Sequence, residues 1–172
     1  MPKSTPTDAI ALLKADHRKV EHLFAQYKKA KAASRKKELA CQICLELSIH
    51  AKVEEDVFYP GCREDGVDED LMDEAYVEHD GAKVLIAEIN VGSPEDKYYD
   101  AKVKVLSEMI KHHVKEEEKK QGNMFSKAKK AGVDTKALGK QMAKEKKTLT
   151  AKFKTDGLPK PATTTFTGTK LA

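Results

Sequence analysis

Residues 93–118, Ser-Pro-Glu-Asp-Lys-Tyr-Tyr-Asp-Ala-Lys-Val-Lys-Val-Leu-Ser-Glu-Met-Ile-Lys-His-His-Val-Lys-Glu-Glu-Glu, carry the pattern that decides the fold. Tyr99, Val103, Leu106, Ile110, His113 and Glu117 recur at spacings of three and four, which places them on one face of an α-helix. Ser93, Pro94 and Asp96 predict its start: a serine cap, a proline in the first helical position and an acid three residues after the cap. Gln121-Gly122-Asn123 breaks the pattern, so the helix is expected to end near Lys120. Its inward stripe is hydrocarbon until it meets a histidine, and a glutamate follows that histidine by four residues.

Three more such stripes lie upstream. A first helix, capped by Thr7 and running to about Ala32, presents Ile10, Leu13, His17, Val20, Phe24 and Tyr27. A second, capped by Ser34, presents Ile43, Leu47, His50, Glu54 and Val57; it is expected to end near Tyr59-Pro60-Gly61, because proline disfavours helix in the residue before it. A third, opened by Asp68 and ending near Asn90-Val91-Gly92, presents Met72, Ala75, His79, Ala82, Ile86 and Ile89. Four helices of about 24 residues, each roughly 36 Å long and joined by short connections, predict an all-α, antiparallel up-down-up-down four-helix bundle over residues 1–132. Helix resumes briefly from Met124 to Lys130. Asp134 then caps an additional C-terminal helix, an accessory element over residues 133–155, whose thin stripe of Leu138, Met142, Leu149 and Phe153 suits the outside or end of the bundle. Residues 156–172, rich in Pro, Thr and Gly, predict a flexible, disordered tail.

Composition agrees. Charged residues make up 35% of the 172 and aromatics 6%, with no Trp, which disfavours a β-sandwich. Apolar runs such as Val84-Leu85-Ile86-Ala87 are far too short to span a bilayer, and Met-Pro-Lys-Ser-Thr has no apolar signal-peptide core, so no membrane association and a cytoplasmic location are expected. Cys41 and Cys44 share a helix without a second CxxC, and Cys62 falls in an expected loop; all three read as reduced thiols packed as small hydrophobes. The net charge of +4 hides an asymmetry: from Lys119 onward 14 lysines face three acids, giving +11 there and −7 before it. A solvated helix surface explains that segment; a nucleic-acid partner is the weaker expectation it carries.

One histidine on an apolar stripe is ordinary. Four, with two glutamates, are not. Each buried polar group without a partner costs roughly 2–7 kcal/mol, and six would consume the ~5–15 kcal/mol that holds a domain together. Metal ions turn these groups into bonds. A His and a Glu four residues apart lie one above the other and can reach one metal or two adjacent ones. His17, His50, Glu54, His79, His113 and Glu117 are the candidate ligands. Periodicity leaves His112 open beside His113, since Val105, Met109 and Glu116 give it a partly apolar stripe of its own. His22 points away from the stripe. Glu21 and Glu46 read as face residues.

Asp16-His17-Arg18-Lys19-Val20 through Leu23-Phe24, His50-Ala51-Lys52-Val53-Glu54-Glu55 leading to Phe58-Tyr59-Pro60, Asp73-Glu74-Ala75 with Glu78-His79, and His113-Val114-Lys115-Glu116-Glu117-Glu118 before Met124-Phe125 together resemble the hemerythrin-like HHE cation-binding domain, over residues 8 to about 132. The resemblance implies two iron ions in a carboxylate-bridged di-iron centre, with His17, His50, His79 and His113 as nitrogen ligands and Glu54 and Glu117 as bridges. It selects His113, because the family places the ligand directly before the Val. Oxygen-carrying members have a fifth histidine where Lys83 stands, and other members a tyrosine where Phe58 stands. The resemblance therefore implies open coordination positions and a centre that binds or reacts with oxygen, peroxide or nitric oxide, rather than an oxygen carrier. The alternative is a non-catalytic iron or oxygen sensor read by a partner. Zinc and manganese suit the same donors. No cage-forming element for mineral storage is visible, and no oligomeric state is specified.

Overall fold

The structure, a computed structural model, describes residues 8–119 and 121–168. Among these the regular structure is helical: α1 (Ala9–Lys29), α2 (Ala33–Val53), a π-helical turn (Glu54–Phe58), α3 (Tyr59–Glu64), α4 (Glu69–Val91), α5 (Tyr99–Glu118), α6 (Met124–Ala131) and α7 (Thr135–Asp156). Helices α1, α2, α4 and α5 form the bundle. In that order each packs on the next, and α5 closes back on α1. Helix α7 lies outside, against α1, α2 and the π turn. Among the described residues no helix is long and apolar enough to cross a membrane.

The ends follow local chemistry, with some departures from expectation. Thr7 lies outside the described residues, and the Asp8 carboxylate accepts from Ala11 N–H to cap α1. Asp68 caps α4 and Asp134 caps α7. Ser34 lies inside α2, whose cap Ala32 offers no side-chain acceptor. Ser93 and Asp96 do bond as a capping pair, with Ser93 N–H donating to Asp96. That pair closes two successive turns rather than a helix, and α5 begins at Tyr99. A capping box between Asn123 and Ser126 opens α6, and Gly132, at φ 83°, ends it in the left-handed conformation that glycine adopts without strain.

The chain does not stop at Pro60. It widens instead: Tyr59 N–H bonds back to Glu54 C=O, one residue further than in an α-helix. Proline has no N–H to donate, and its ring would meet the carbonyl of Asp56 in a regular helix; an extra residue in the preceding turn relieves both. Cys62 consequently sits buried in α3 rather than in a loop, and Cys41 is exposed rather than packed; all three thiols are free.

Two apolar clusters fill the bundle. One, with Val20, Phe24, Leu47, Ile86 and Leu106, occupies the end near the α4–α5 connection. The other gathers Leu13, Val53, Tyr59, Met72 and Phe125 and takes in Met142 and Phe153 of α7. Beyond α7 the described part of the tail carries no helix or strand. Residues 157–168 run as an irregular strap across α4, and the fully buried Asp80 receives N–H bonds from Thr164 and Thr165 at 2.9 and 2.6 Å and the Thr165 hydroxyl at 2.7 Å. Residues 169–172 lie outside the described residues.

Candidate metal centre

Between the two apolar clusters the four inward stripes bring their polar residues to one level. His17 from α1, His50 from α2, Glu54 from the π turn and Glu117 from α5 form one buried group; Glu54, His79 from α4 and His113 from α5 form a second. All six expected residues meet here. Glu54 belongs to both groups. Its Oε2 lies 3.3 Å from His50 Nε2, 3.2 Å from His79 Nε2 and 3.8 Å from His113 Nε2. Glu117 spans the same gap from the other side, with Oε2 3.3 Å from His17 Nε2 and Oε1 3.5 Å from His113 Nε2. The histidines pair across the core, His17 with His50 at 3.2 Å and His79 with His113 at 3.4 Å, always through Nε2.

These spacings suit metal. Nitrogen and carboxylate donors sit about 2.1 Å from a first-row ion, so neighbouring donors around it are about 3.0–3.4 Å apart. Glu54 Oε1 and Glu117 Oε2 are buried and accept no hydrogen bond, which leaves lone pairs free to bind an ion. The donors are imidazole and carboxylate without thiolate. Burial pushes the Cys62 thiol up to about 12, so it stays protonated.

Behind each histidine stands a carboxylate, and each comes from the neighbouring helix. Asp16 of α1 faces His50 Nδ1 of α2 at 3.6 Å. Glu55, after α2, accepts from His79 Nδ1 of α4 at 3.0 Å; Glu78 of α4 from His113 Nδ1 of α5 at 2.7 Å; and Glu118 of α5 from His17 Nδ1 of α1 at 2.7 Å. The ring runs α1 to α2 to α4 to α5 and closes on α1. A proton held on Nδ1 leaves the Nε2 lone pair aimed at the centre. Each carboxylate has a further partner in turn: the cations Lys83 on Glu55 at 2.8 Å, Arg18 on Glu118 at 2.8 Å and Lys146 of α7 on Asp16, and the His112 ring on Glu78 at 3.2 Å.

Without metal the ionised groups hold one another. Burial disfavours charge on Glu54 more than any single neighbour favours it, but His50, His79 and His113 together keep its carboxyl well below the usual range. Burial likewise opposes protonation of His17, His79 and His113, and their carboxylate partners outweigh it and raise all three.

Sequence reasoning missed Tyr59. Its hydroxyl donates to Glu54 Oε2 and Glu117 Oε1, both at 3.3 Å, and burial followed by the two carboxylate charges pushes its pKa well up. The expected tyrosine position, four after Glu54, holds Phe58. The π turn inserts one residue, so the fifth residue takes the inward direction; Pro60 was the available signal. The carboxylate ring also escaped notice, although Asp16, Glu55, Glu78 and Glu118 each adjoin an expected ligand in sequence. Lys83 points to Glu55 and to Ala162 C=O of the strap. His113 is 6% exposed and lies in the second core group, whereas His112 is 60% exposed and gathers with Glu74 and Glu78 in a separate surface group. His22 bonds Gln26, while Glu21 and Glu46 pair with Arg18 and Lys19 and stand outside both groups.

Comparison with known proteins follows the same lines. A family model, the hemerythrin HHE cation-binding domain, matches residues 8–125. A DNA nickase from Nostoc sp. is 31% identical over 107 residues, 62% of this chain, and the chain spans 30% of that protein's length. The crystal structure of a hemerythrin HHE cation-binding domain-containing protein from Mycobacterium kansasii aligns with a TM-score of 0.69 at 20% identity, covering 88% of this chain and 94% of that one, a likeness of fold.

Proposed function

The chain belongs to the hemerythrin HHE cation-binding domain family, and from that premise we propose that it is a non-haem di-iron protein that binds or reacts with oxygen, peroxide or nitric oxide in the bundle core. The observation that carries the reading is the two buried groups that share Glu54, one of His17, His50, Glu54 and Glu117 and the other of Glu54, His79 and His113, with Glu54 Oε1 accepting no hydrogen bond. His17 and His50 would hold one ion, His79 and His113 the other, and Glu54 and Glu117 both. A bound iron pair supplies reversible electron transfer and open positions for a small ligand.

The chain's own residues set the conditions. The Nδ1 hydrogen bonds to Glu118, Glu55 and Glu78 fix three imidazoles with Nε2 inward. Tyr59 keeps its proton at Oη and presents it to both carboxylates. Phe125 stacks on His17 at 6.1 Å and, with Phe58, keeps water from that side. Lys83 is engaged with Glu55 and supplies no ligand. Ferrous iron added in air should be taken up at two ions per chain and give the near-ultraviolet absorption of an oxidised, bridged pair; a colourless protein with trace iron would defeat the reading.

A second reading concerns α7. Lys136, Lys140, Lys144, Lys147, Lys152 and Lys154 are exposed along it, and the Nostoc relative is named as acting on DNA. A DNA contact on this face would weaken steeply with salt. Anisotropy of a labelled duplex across a salt series tests it, and absence of binding at low salt would remove it.

A further inference from the structure

Beside the four histidines lies a cavity of about 270 Å³. Val20, Leu47, Ala82, Ile86, Ile110 and Val114, drawn from all four bundle helices, give it hydrocarbon walls, and edges of His17, His50, His79 and His113 reach it. Its remaining wall is not part of the bundle. Phe153 at the end of α7 and residues 158–162 of the strap provide it. The strap is held beyond the cavity by Asp80, which takes the N–H groups of Thr164 and Thr165 and the Thr165 hydroxyl, and by Lys83 on Ala162 C=O at 3.3 Å. A fully buried carboxylate spent on two backbone N–H groups of an otherwise irregular segment fixes where that segment lies.

The lining also restricts the occupant. Its charged side chains are largely paired: Lys83 with Glu55, Lys52 with Asp56, Asp16 with Lys146. Along the hydrocarbon wall a charged guest would lose its water without gaining a partner. An apolar cavity of about 150 Å³ accommodates a benzene ring, so this one suits roughly ten non-hydrogen atoms.

We propose that this cavity binds a small, uncharged, largely apolar molecule against the histidine edges, and that residues 157–168 form its opening wall, latched on Asp80. That the occupant is presented to bound metal rests on the preceding functional reading; that the cavity binds it does not.

Toluene and its charged analogue benzoate are the probes, titrated into the full-length, methyl-labelled protein with and without iron and followed by NMR. Toluene should give saturable shifts confined to methyls that line the cavity, those of Val20, Leu47, Ala82, Ile86, Ile110, Val114 and Leu158, and benzoate should give none along that hydrocarbon wall. Thr165→Pro removes one N–H and the hydroxyl from the latch without altering any side chain of the two histidine groups. It should weaken toluene binding roughly tenfold, about the contribution of one lost apolar contact, and speed its exchange, while the melting temperature shows the bundle intact. Shifts scattered over the surface, or equal shifts with benzoate, would overturn the binding site. Unchanged affinity and exchange in Thr165→Pro would overturn the wall. Toluene binding by a chain that takes up no iron would uphold the cavity and remove the di-iron reading; iron uptake without toluene binding would do the reverse.

Discussion

Replacing Lys146 by Met removes the cation that α7 supplies to the metal centre from 130 residues away. Asp16 is buried, its Oδ2 accepts no hydrogen bond and His50 Nδ1 stands 3.6 Å off, while Lys146 donates to its Oδ1. Burial pushes the Asp16 carboxyl up more than any one neighbour lowers it, but His50 and Lys146 together bring it below the ordinary value. Removing one partner of a fully buried pair costs about 3–5 kcal/mol. Lys146 is 25% exposed, and His50 and entering water take up part of the charge, so about 1–2 kcal/mol is expected here. In a chain of this length that lowers the melting temperature by about 2–8 °C. The sign with pH follows from the lowered carboxyl. Its stabilising contribution is present above the unfolded value of 3.8 and is lost as pH falls through the lower folded value, so mutant and parent converge in acid. Because Asp16 stands behind His50, iron affinity should also fall by about tenfold. Thermal melts and iron competition titrations of Lys146→Met, Asp16→Asn and the double variant give a complete cycle. A coupling of about 1–2 kcal/mol is expected, since the double variant buries no unpaired charge. Additivity within about 0.5 kcal/mol would refute the link between α7 and the centre.

Three further outcomes are expected. His113→Ala should lose one or both ions while His112→Ala retains them, and equal loss from both by metal analysis would undo the assignment of α5. In the metal-free protein the raised His17, His79 and His113 contribute stability that is complete below pH 6.5 and lost as pH rises through their folded values, whereas Glu54 contributes above pH 4.5 and is lost in acid; melts of the chelated chain should peak between those limits, and iron uptake at pH 7 should release protons into weakly buffered solution. Tyr59→Phe should cost the metal-free protein roughly 1–2 kcal/mol for the one buried proton shared between Glu54 and Glu117 and leave the iron stoichiometry unchanged; loss of iron would make Tyr59 a ligand rather than a donor.

The ring of carboxylates explains why metal and fold belong together here. Three of the histidines are oriented by a hydrogen bond to a neighbouring helix and the fourth, His50, faces the Asp16 carboxylate of one, so an ion that binds inward-facing Nε2 atoms also favours the packing of α1, α2, α4 and α5 that aims them. The C-terminal segment takes part as well, through Lys146 on Asp16 and through the strap on Asp80 and Lys83.

What was legible in the chain was local. Spacings of three and four exposed the four stripes, and with them His17, His50, Glu54, His79, His113 and Glu117, because a helix repeats every 3.6 residues whatever surrounds it. Asp68 and Asp134 were readable as caps for the same reason. Ser93 and Pro94 were not, since a bonded Ser–Asp pair closes a turn as readily as it starts a helix. Tyr59 was hidden because one inserted residue rotates everything after it by about 100°, and only the widened turn before Pro60 reveals which side chain faces inward. Two features had no local signature at all. Lys146 is one lysine among many until α7 is laid on α1. The strap has too few apolar residues to order itself, and it lies where it does because the bundle buries Asp80 where Thr164 and Thr165 can reach it. Contacts between residues some 80 to 130 apart are made by packing, and periodicity carries no information about them.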